Sequence, residues 1–135
     1  SHHWPTWENQ KINHLWKNQR DLYKFIHDET LYLANQGFTM PEIAEMIKLP
    51  DALAKTFANR DYYGTLRHNA KAQYQLYYGW FDANPAHLNP LPPSEASKKY
   101  LEYMGGADNI LTKAQKDFDK GEFRWVAQAL NHIIF

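Results

Sequence analysis

The chain has no cysteine, which removes both a disulfide framework and a thiolate metal site from consideration. It also has no excess charge. Fifteen Lys and Arg stand against fifteen Asp and Glu, so no net positive field exists to condense on nucleic-acid phosphates. Long apolar runs are missing. Segments such as Ile133-Ile134-Phe135 fall far short of the roughly 20 residues that span a bilayer. The opening Ser1-His2-His3-Trp4-Pro5 lacks the basic and apolar regions of a signal peptide. At 135 residues there is room for one ordinary domain, or for one piece of a larger protein. Aromatic residues are what the chain has in quantity: 16%, with nine Tyr and five Trp. So much aromatic surface on a small chain calls for a large core, a ligand pocket or an extended protein interface.

The apolar pattern is helical throughout, and the expected fold is all-α, with about seven helices. After an irregular or strand-end lead-in at Trp4-Pro5-Thr6-Trp7, a long helix is expected from about Asn9 to Gln36. Ile12, Leu15, Trp16, Gln19, Leu22, Tyr23, Ile26, Thr30 and Leu33 recur at three- and four-residue steps along one face of it. Such a helix is about 40 Å long, and its seam would bury better against another chain than along its whole length within this one. Gly37 supplies a left-handed stop. Thr39 and Glu42 then form a capping-box pattern, with Phe38 placed to staple onto Ile43 and Pro41 inside the first turn. Ile43, Met46 and Ile47 make that helix's apolar face, and Leu49-Pro50 is expected to end it.

Asp51 is read as the cap of a third helix reaching about Asn59. A fourth is expected from about Thr65 to Trp80, with Leu66, Ala70, Tyr74, Tyr77 and Phe81 inward. Pro85, Pro90, Pro92 and Pro93 then mark the stretch from Asp82 to Pro93 as a rigid loop. A fifth helix is expected from Ser94 to Gly105-Gly106, a sixth capped by Asp108, and a seventh from Glu122 to the C-terminus.

Two stretches imitate binding motifs. Residues 39–60 read like a helix-turn-helix, but the second helix offers Asp51, Lys55, Thr56, Asn59 and Arg60 in a chain without net positive charge. An ordinary helical corner is the favoured reading, and no nucleic-acid partner is expected. Ala114-x3-Phe118-x2-Gly121-x-Phe123-x3-Ala127 resembles half of a tetratricopeptide-type helix pair. One unit is not an array, so close packing of two helices explains it better than a peptide-binding solenoid. A stand-alone interaction module, DNA-binding through 39–60 or peptide-binding through the C-terminal pair, is the alternative class.

Candidate chemistry is sparse. His2-His3 carries imidazoles suited to zinc, although on the residues alone a leading Ser-His-His reads better as a tag remnant. His68-Asn69 follows Tyr62-Tyr63-Gly64, with Arg67 on a neighbouring face and Tyr74 and Tyr78 further along the helix. Such a group of imidazole, amide and phenol donors suits an oxyanion such as phosphate or sulfate. On spacing alone, a helix-end or core hydrogen bond for His68 is the favoured reading. Trp80-Phe81-Asp82-Ala83-Asn84-Pro85 reads as a helix end and an Asx-Pro turn. On Arg124-Trp125 and Asn131-His132, ordinary packing explains as much as catalysis would. Taken alone, the residues contain no catalytic constellation.

An ordered set of motifs nonetheless carries a resemblance. It comprises Gly37-Phe-Thr-Met-Pro-Glu-Ile-Ala-Glu-Met-Ile-Lys-Leu-Pro50, Tyr62-Tyr63-Gly64 with His68-Asn69, Tyr78-Gly79-Trp80-Phe81-Asp82-x-Asn84-Pro85 and Pro92-Pro93. Gly105-Gly106-Ala107-Asp108 and Arg124-Trp125-Val126-Ala127 with Leu130-Asn131-His132 complete it. The whole chain resembles the dimerisation domain of bacterial alkyl sulfatases in the metallo-β-lactamase superfamily. That resemblance implies a longer parent with a zinc-hydrolase domain upstream and a sterol-carrier-like domain downstream. Residues 1–7 would then be the tail of the zinc-hydrolase domain, and 8–135 the helical dimerisation domain.

It further implies a homodimer, two zinc ions in the parent, and hydrolysis of alkyl sulfate monoesters of the dodecyl-sulfate type. His2, or alternatively His3, becomes the last zinc ligand of the parent, and His68, Asn69 and Tyr78 become sulfate contacts. A periplasmic or secreted parent is favoured over a cytoplasmic one. The H-x-H-x-D-H motif and the carboxylate ligands are absent from these residues, so the segment alone is not expected to be active. One departure stands out: family members commonly have Gly where this chain has Glu8.

Overall fold

A computed structural model describes residues 4–134. The first helix, α1, spans Asn9–Asn35. It stops as the apolar stripe ends, and Gly37 takes the left-handed φ of +92° that turns the chain back. Of the residues on the stripe only Ile26, Thr30 and Leu33 are buried, all in the C-terminal half. Trp16 and Tyr23, on the same side of the N-terminal half, are each 68% exposed.

α2, Met40–Met46, begins with the expected capping box. The Thr39 N–H and hydroxyl donate to Glu42 Oε2 at 2.8 and 2.7 Å. Those two bonds, the hydroxyl's first, hold the Glu42 carboxyl below its ordinary value. Phe38 packs onto the cluster that contains Ile43, as a staple should. The helix ends earlier than Leu49-Pro50: Ile47 turns to extended angles (φ −63°, ψ 129°) and buries its side chain from there. Met46 therefore faces solvent rather than completing the inward face.

The expected helix from Asp51 to Asn59 is broken in two. α3 is the single turn Asp51–Ala54, with Pro50 rather than Asp51 at its cap, and a 3-10 turn follows at Phe57–Asn59. Asn59 is the cause. Its buried amide donates to Leu53 O at 3.1 Å and accepts from Gln19 Nε2 at 2.9 Å. A side chain that takes a backbone carbonyl competes with the helix ladder.

α4, Leu66–Tyr78, starts at a Thr65 cap whose hydroxyl accepts from the His68 N–H at 3.2 Å. It closes at Gly79 (φ +76°), leaving Trp80 and Phe81 outside the helix. Leu33, Ile43, Ile47 and Ala70 form the core of this first unit, which ends at Asp82. Ala70 has no exposed surface, and a methyl at that point lets α4 lie close against α2.

The second unit begins at Ala83. The proline-rich stretch contains a helical turn, α5 (Pro85–Leu88), because Asn84 Oδ1 accepts from the Ala86 N–H at 3.0 Å. α6 covers Pro93–Tyr103, α7 Ala107–Asp119 and α8 Phe123–Ile134. Gly106 rather than Asp108 stands at the α7 cap, and Asp108 lies in the first turn, beside the positive end of the helix dipole. Ile110 and Ala114 pack with Val126 and Ala129 in the α7–α8 pair. Ala127 of the tetratricopeptide-like pattern is exposed, whereas Ala114 and Ala129 are buried. The Phe118 and Phe123 rings meet edge to face across Gly121, 5.0 Å apart. Tyr100 on α6 stacks on His132 of α8 at 4.2 Å. Every regular element among the described residues is helical.

Candidate functional site

α4 carries all three of the residues expected to contact sulfate, and the geometry separates them. His68 is exposed in the first turn, with Nδ1 2.6 Å from Thr65 Oγ1. It is thus tied to the cap of its own helix, and Nε2 is the ring nitrogen outside that bond. Asn69, the next residue, lines a cleft of about 700 Å³ together with Gln19, Ile26, Arg60, Tyr63 and Leu76. Its amide also explains Gly64: a Cβ there would stand 3.3 Å from Asn69 Nδ2, so a side chain at 64 would press on the amide. Tyr78 lies ten residues beyond His68, about 15 Å along the axis. Its hydroxyl donates to Asn35 Oδ1 at 2.9 Å, and its ring stacks on Tyr74 at 4.8 Å. Of the three, only Asn69 lines this cleft: His68 is tied to the cap of its own helix, and Tyr78 ties the far end of α4 to the end of α1.

The basic group beside Asn69 is Arg60, which the sequence placed only in the helix-turn-helix look-alike. Its guanidinium sits 5.2 Å over the Phe57 ring and lines the same cleft. Arg67, the expected neighbour, is turned to Glu45 Oε2 at 3.3 Å. A second cleft of about 970 Å³ is lined by Trp4, Ile12, Leu15, Trp16 and Phe57. The two clefts share Gln19, Ala58 and Tyr62. His27 also escaped notice in the sequence. Its Nε2 lies 2.9 Å from the Tyr77 hydroxyl and its Nδ1 2.8 Å from Asp28 Oδ1, so it bridges α1 to α4. Hydrogen bonds from Lys24 first and His27 second hold the Asp28 carboxyl below its ordinary value.

Among the described residues no group of three or more His, Asp or Glu side chains converges as a metal site requires. They do not by themselves fit a zinc centre, and His2 and His3 lie outside the described residues. With α3 a single turn, residues 39–60 lack the second helix that would lie in a major groove. No helix among the described residues is long and apolar enough to cross a membrane.

Comparison with known proteins agrees with the motifs. The family model described as alkyl sulfatase dimerisation matches residues 39–135. An alkyl/aryl-sulfatase of Saccharomyces cerevisiae is 60% identical over 99% of this chain, which covers 21% of that protein. A linear primary-alkylsulfatase of a Pseudomonas species is 56% identical, again over 99% of the chain and 20% of the relative. The solved structure of a stereoselective inverting sec-alkylsulfatase from Pseudomonas superposes with a TM-score of 0.93 at 45% identity. It matches 98% of this chain, which covers 21% of it. The chain thus spans about a fifth of the length of the relatives it matches, and those relatives extend beyond bacteria. On this match of sequence and fold, the chain belongs to the alkyl sulfatase dimerisation family.

Proposed function

We propose that the chain is the homodimerising segment of an enzyme that hydrolyses sulfate monoesters of alkyl alcohols, of the dodecyl-sulfate type. One observation carries this reading: 60% identity, over 99% of the chain, to an alkyl/aryl-sulfatase about five times as long. Reaction at a two-zinc centre of the metallo-β-lactamase type then falls mostly to residues outside the segment. On the resemblance, His2, or alternatively His3, is the segment's contribution to the zinc ligands of the parent.

The segment's own part is to hold two copies together and to present His68 and Asn69 to the sulfate oxygens. Both lie at the start of α4, with Arg60 on the wall of the cleft that Asn69 lines. Hydrogen bonds from such donors strengthen when charge builds on the leaving sulfate. Tyr78 is the weaker third candidate, since its hydroxyl already donates to Asn35.

The test uses the 135-residue chain and its parent in parallel. Light scattering at micromolar concentration should give the mass of two chains for the segment. With zinc and dodecyl sulfate, the parent should release sulfate while the segment alone releases none. A monomeric segment, or sulfate release by the segment alone, would overturn the reading.

A further inference from the structure

Two neighbouring tyrosines of α4 reach back to α1, and they meet different partners. Tyr78 donates to the amide oxygen of Asn35, a group that takes no proton at neutral pH. Tyr77 meets an imidazole instead. Its hydroxyl lies 2.9 Å from His27 Nε2, and the two rings stand edge to face with centroids 5.5 Å apart. The other ring nitrogen, Nδ1, lies 2.8 Å from Asp28 Oδ1, while Lys24 pairs with Oδ2 of the same carboxylate.

The carboxylate fixes where the protons are. Asp28 is held below its ordinary value by Lys24 first and His27 second, so at neutral pH it is ionised and has no hydrogen to give. Nδ1 of the neutral ring must therefore carry the hydrogen and donate to Oδ1. Nε2 is then left bare and accepts from the Tyr77 hydroxyl. The three side chains thus stand in the order of hydroxyl, base and orienting carboxylate, each within hydrogen-bond reach of the next, which is the arrangement that activates a weak nucleophile. Neither Tyr77 nor His27 lines either cleft, and Tyr77 is 55% exposed, so a small reagent meets it from solvent.

We propose that Tyr77 is a nucleophilic tyrosine that takes an acyl group from an activated ester, with His27 as its general base and Asp28 positioning the imidazole. The phenol oxygen attacks the ester carbonyl carbon as its proton passes to Nε2. The carbonyl's bond to the leaving oxygen then breaks, and its electron pair departs with the alcohol or phenol. That oxygen takes up one proton as Nε2 gives one back, leaving O-acyl-tyrosine and a neutral ring. An aryl ester suits this site because its phenolate departs without prior protonation.

The test treats the 135-residue chain with p-nitrophenyl acetate near neutral pH and reads acetylation at each of the nine tyrosines by peptide mass spectrometry. Hydroxylamine then removes the tyrosine esters and leaves lysine amides in place, which confirms the linkage. Tyr77 should acylate about 10-fold or more faster than Tyr78. That lies below the usual 10²–10⁴ for a general base because water reaches this one. Labelling that merely follows exposure would put Tyr103, 91% exposed, ahead of Tyr77 and would overturn the proposal.

Two variants separate the base from a plain tie between helices. His27→Gln keeps a side-chain oxygen for the Tyr77 hydroxyl but has no proton-accepting base, so Tyr77 should fall to the rate of Tyr78. Asp28→Asn can offer an N–H to Nδ1 and so move the ring hydrogen to Nε2, and it should abolish the preference as well. The Tyr78 rate is the control in both, since loosening of α4 from α1 would raise it. A Tyr77 preference that survives both substitutions overturns the assignment.

Discussion

Glu8 is the residue at which a small substitution should raise stability. It caps α1 at φ 72° and ψ 128°, a region in which an L side chain is strained. Glycine occupies that region freely. Three terms decide the sign of Glu8→Gly. Relief of backbone strain contributes about 2 kcal/mol, within the usual 1–3. The greater freedom of glycine in the unfolded chain returns about 0.7 kcal/mol. Loss of the exposed pair from Lys11 Nζ to Glu8 Oε1, 2.8 Å long, returns about 0.5 kcal/mol or less.

The balance favours Glu8→Gly by about 0.8 kcal/mol, or roughly fourfold in the opening equilibrium of the first turn. Glu8→Ala keeps the strain and loses the pair, so it should destabilise by about 0.5 kcal/mol. The reporter is the Ile12 N–H, which donates to the Glu8 carbonyl at 2.9 Å and closes the first turn. Its hydrogen exchange, followed by NMR, should slow in Glu8→Gly and quicken in Glu8→Ala. This local reading is needed because a helix end frays before the whole molecule unfolds. Exchange that moves in the same direction in both variants would refute the reasoning, since only the strain term separates their signs.

Other substitutions test other parts of the molecule. Ile43 has no exposed surface and touches the core of the first unit, so Ile43→Ala removes three carbons and leaves a cavity. Chemical denaturation should show a loss of about 3–4 kcal/mol, against about 0.5 or less for exposed Met46→Ala on the same helix. Thr39→Ala should destabilise by about 1 kcal/mol through the lost cap. Because folding lowers the Glu42 carboxyl below its unfolded value, its contribution is present above the unfolded value and fades as pH falls through the folded one. The gap between wild type and Thr39→Ala should therefore narrow in acid titrations of stability. In the parent enzyme, His68→Ala should lower kcat for dodecyl sulfate by about 10-fold or more while the mass stays that of a dimer. An unchanged kcat would remove His68 from the site.

The parts of this fold that were legible in the sequence are those where one local rule acts alone. α1 and its glycine stop, the Thr39–Glu42 box, and the separations at Gly105-Gly106 and Gly121 all follow from residues within a few positions of each other. The errors lie where a distant partner intervenes. Asn59 breaks the expected third helix because Gln19, forty residues away, donates to its side-chain oxygen while its amide takes the Leu53 carbonyl. Ile47 leaves α2 early because its side chain is buried in the core cluster, a preference that periodicity alone cannot register. The site shows the same division. Asn69 was singled out by its motif, but Arg60, on the wall of the same cleft, reaches it only through the fold of the 3-10 turn.

The family's name and the shape of α1 lead to one further consequence. A helix of 27 residues whose buried side chains all lie in its second half is longer than its own unit uses. Shortening it would leave the core of Leu33, Ile43, Ile47 and Ala70 intact, so the first half is not retained for that core. Its aromatic residues are instead exposed, beside the cleft that Phe57 and Tyr62 line. Exposed apolar area of this extent is costly in water unless something covers it. If a second copy of the chain does so, the unit's stability must depend on protein concentration, because association draws the folded state away from the unfolded one. Wild-type chain should then melt at a higher temperature as concentration rises, and Trp16→Ala/Tyr23→Ala should lose that dependence. A wild-type melting temperature constant over a hundredfold range of concentration would mean that α1 is covered by something other than a second copy.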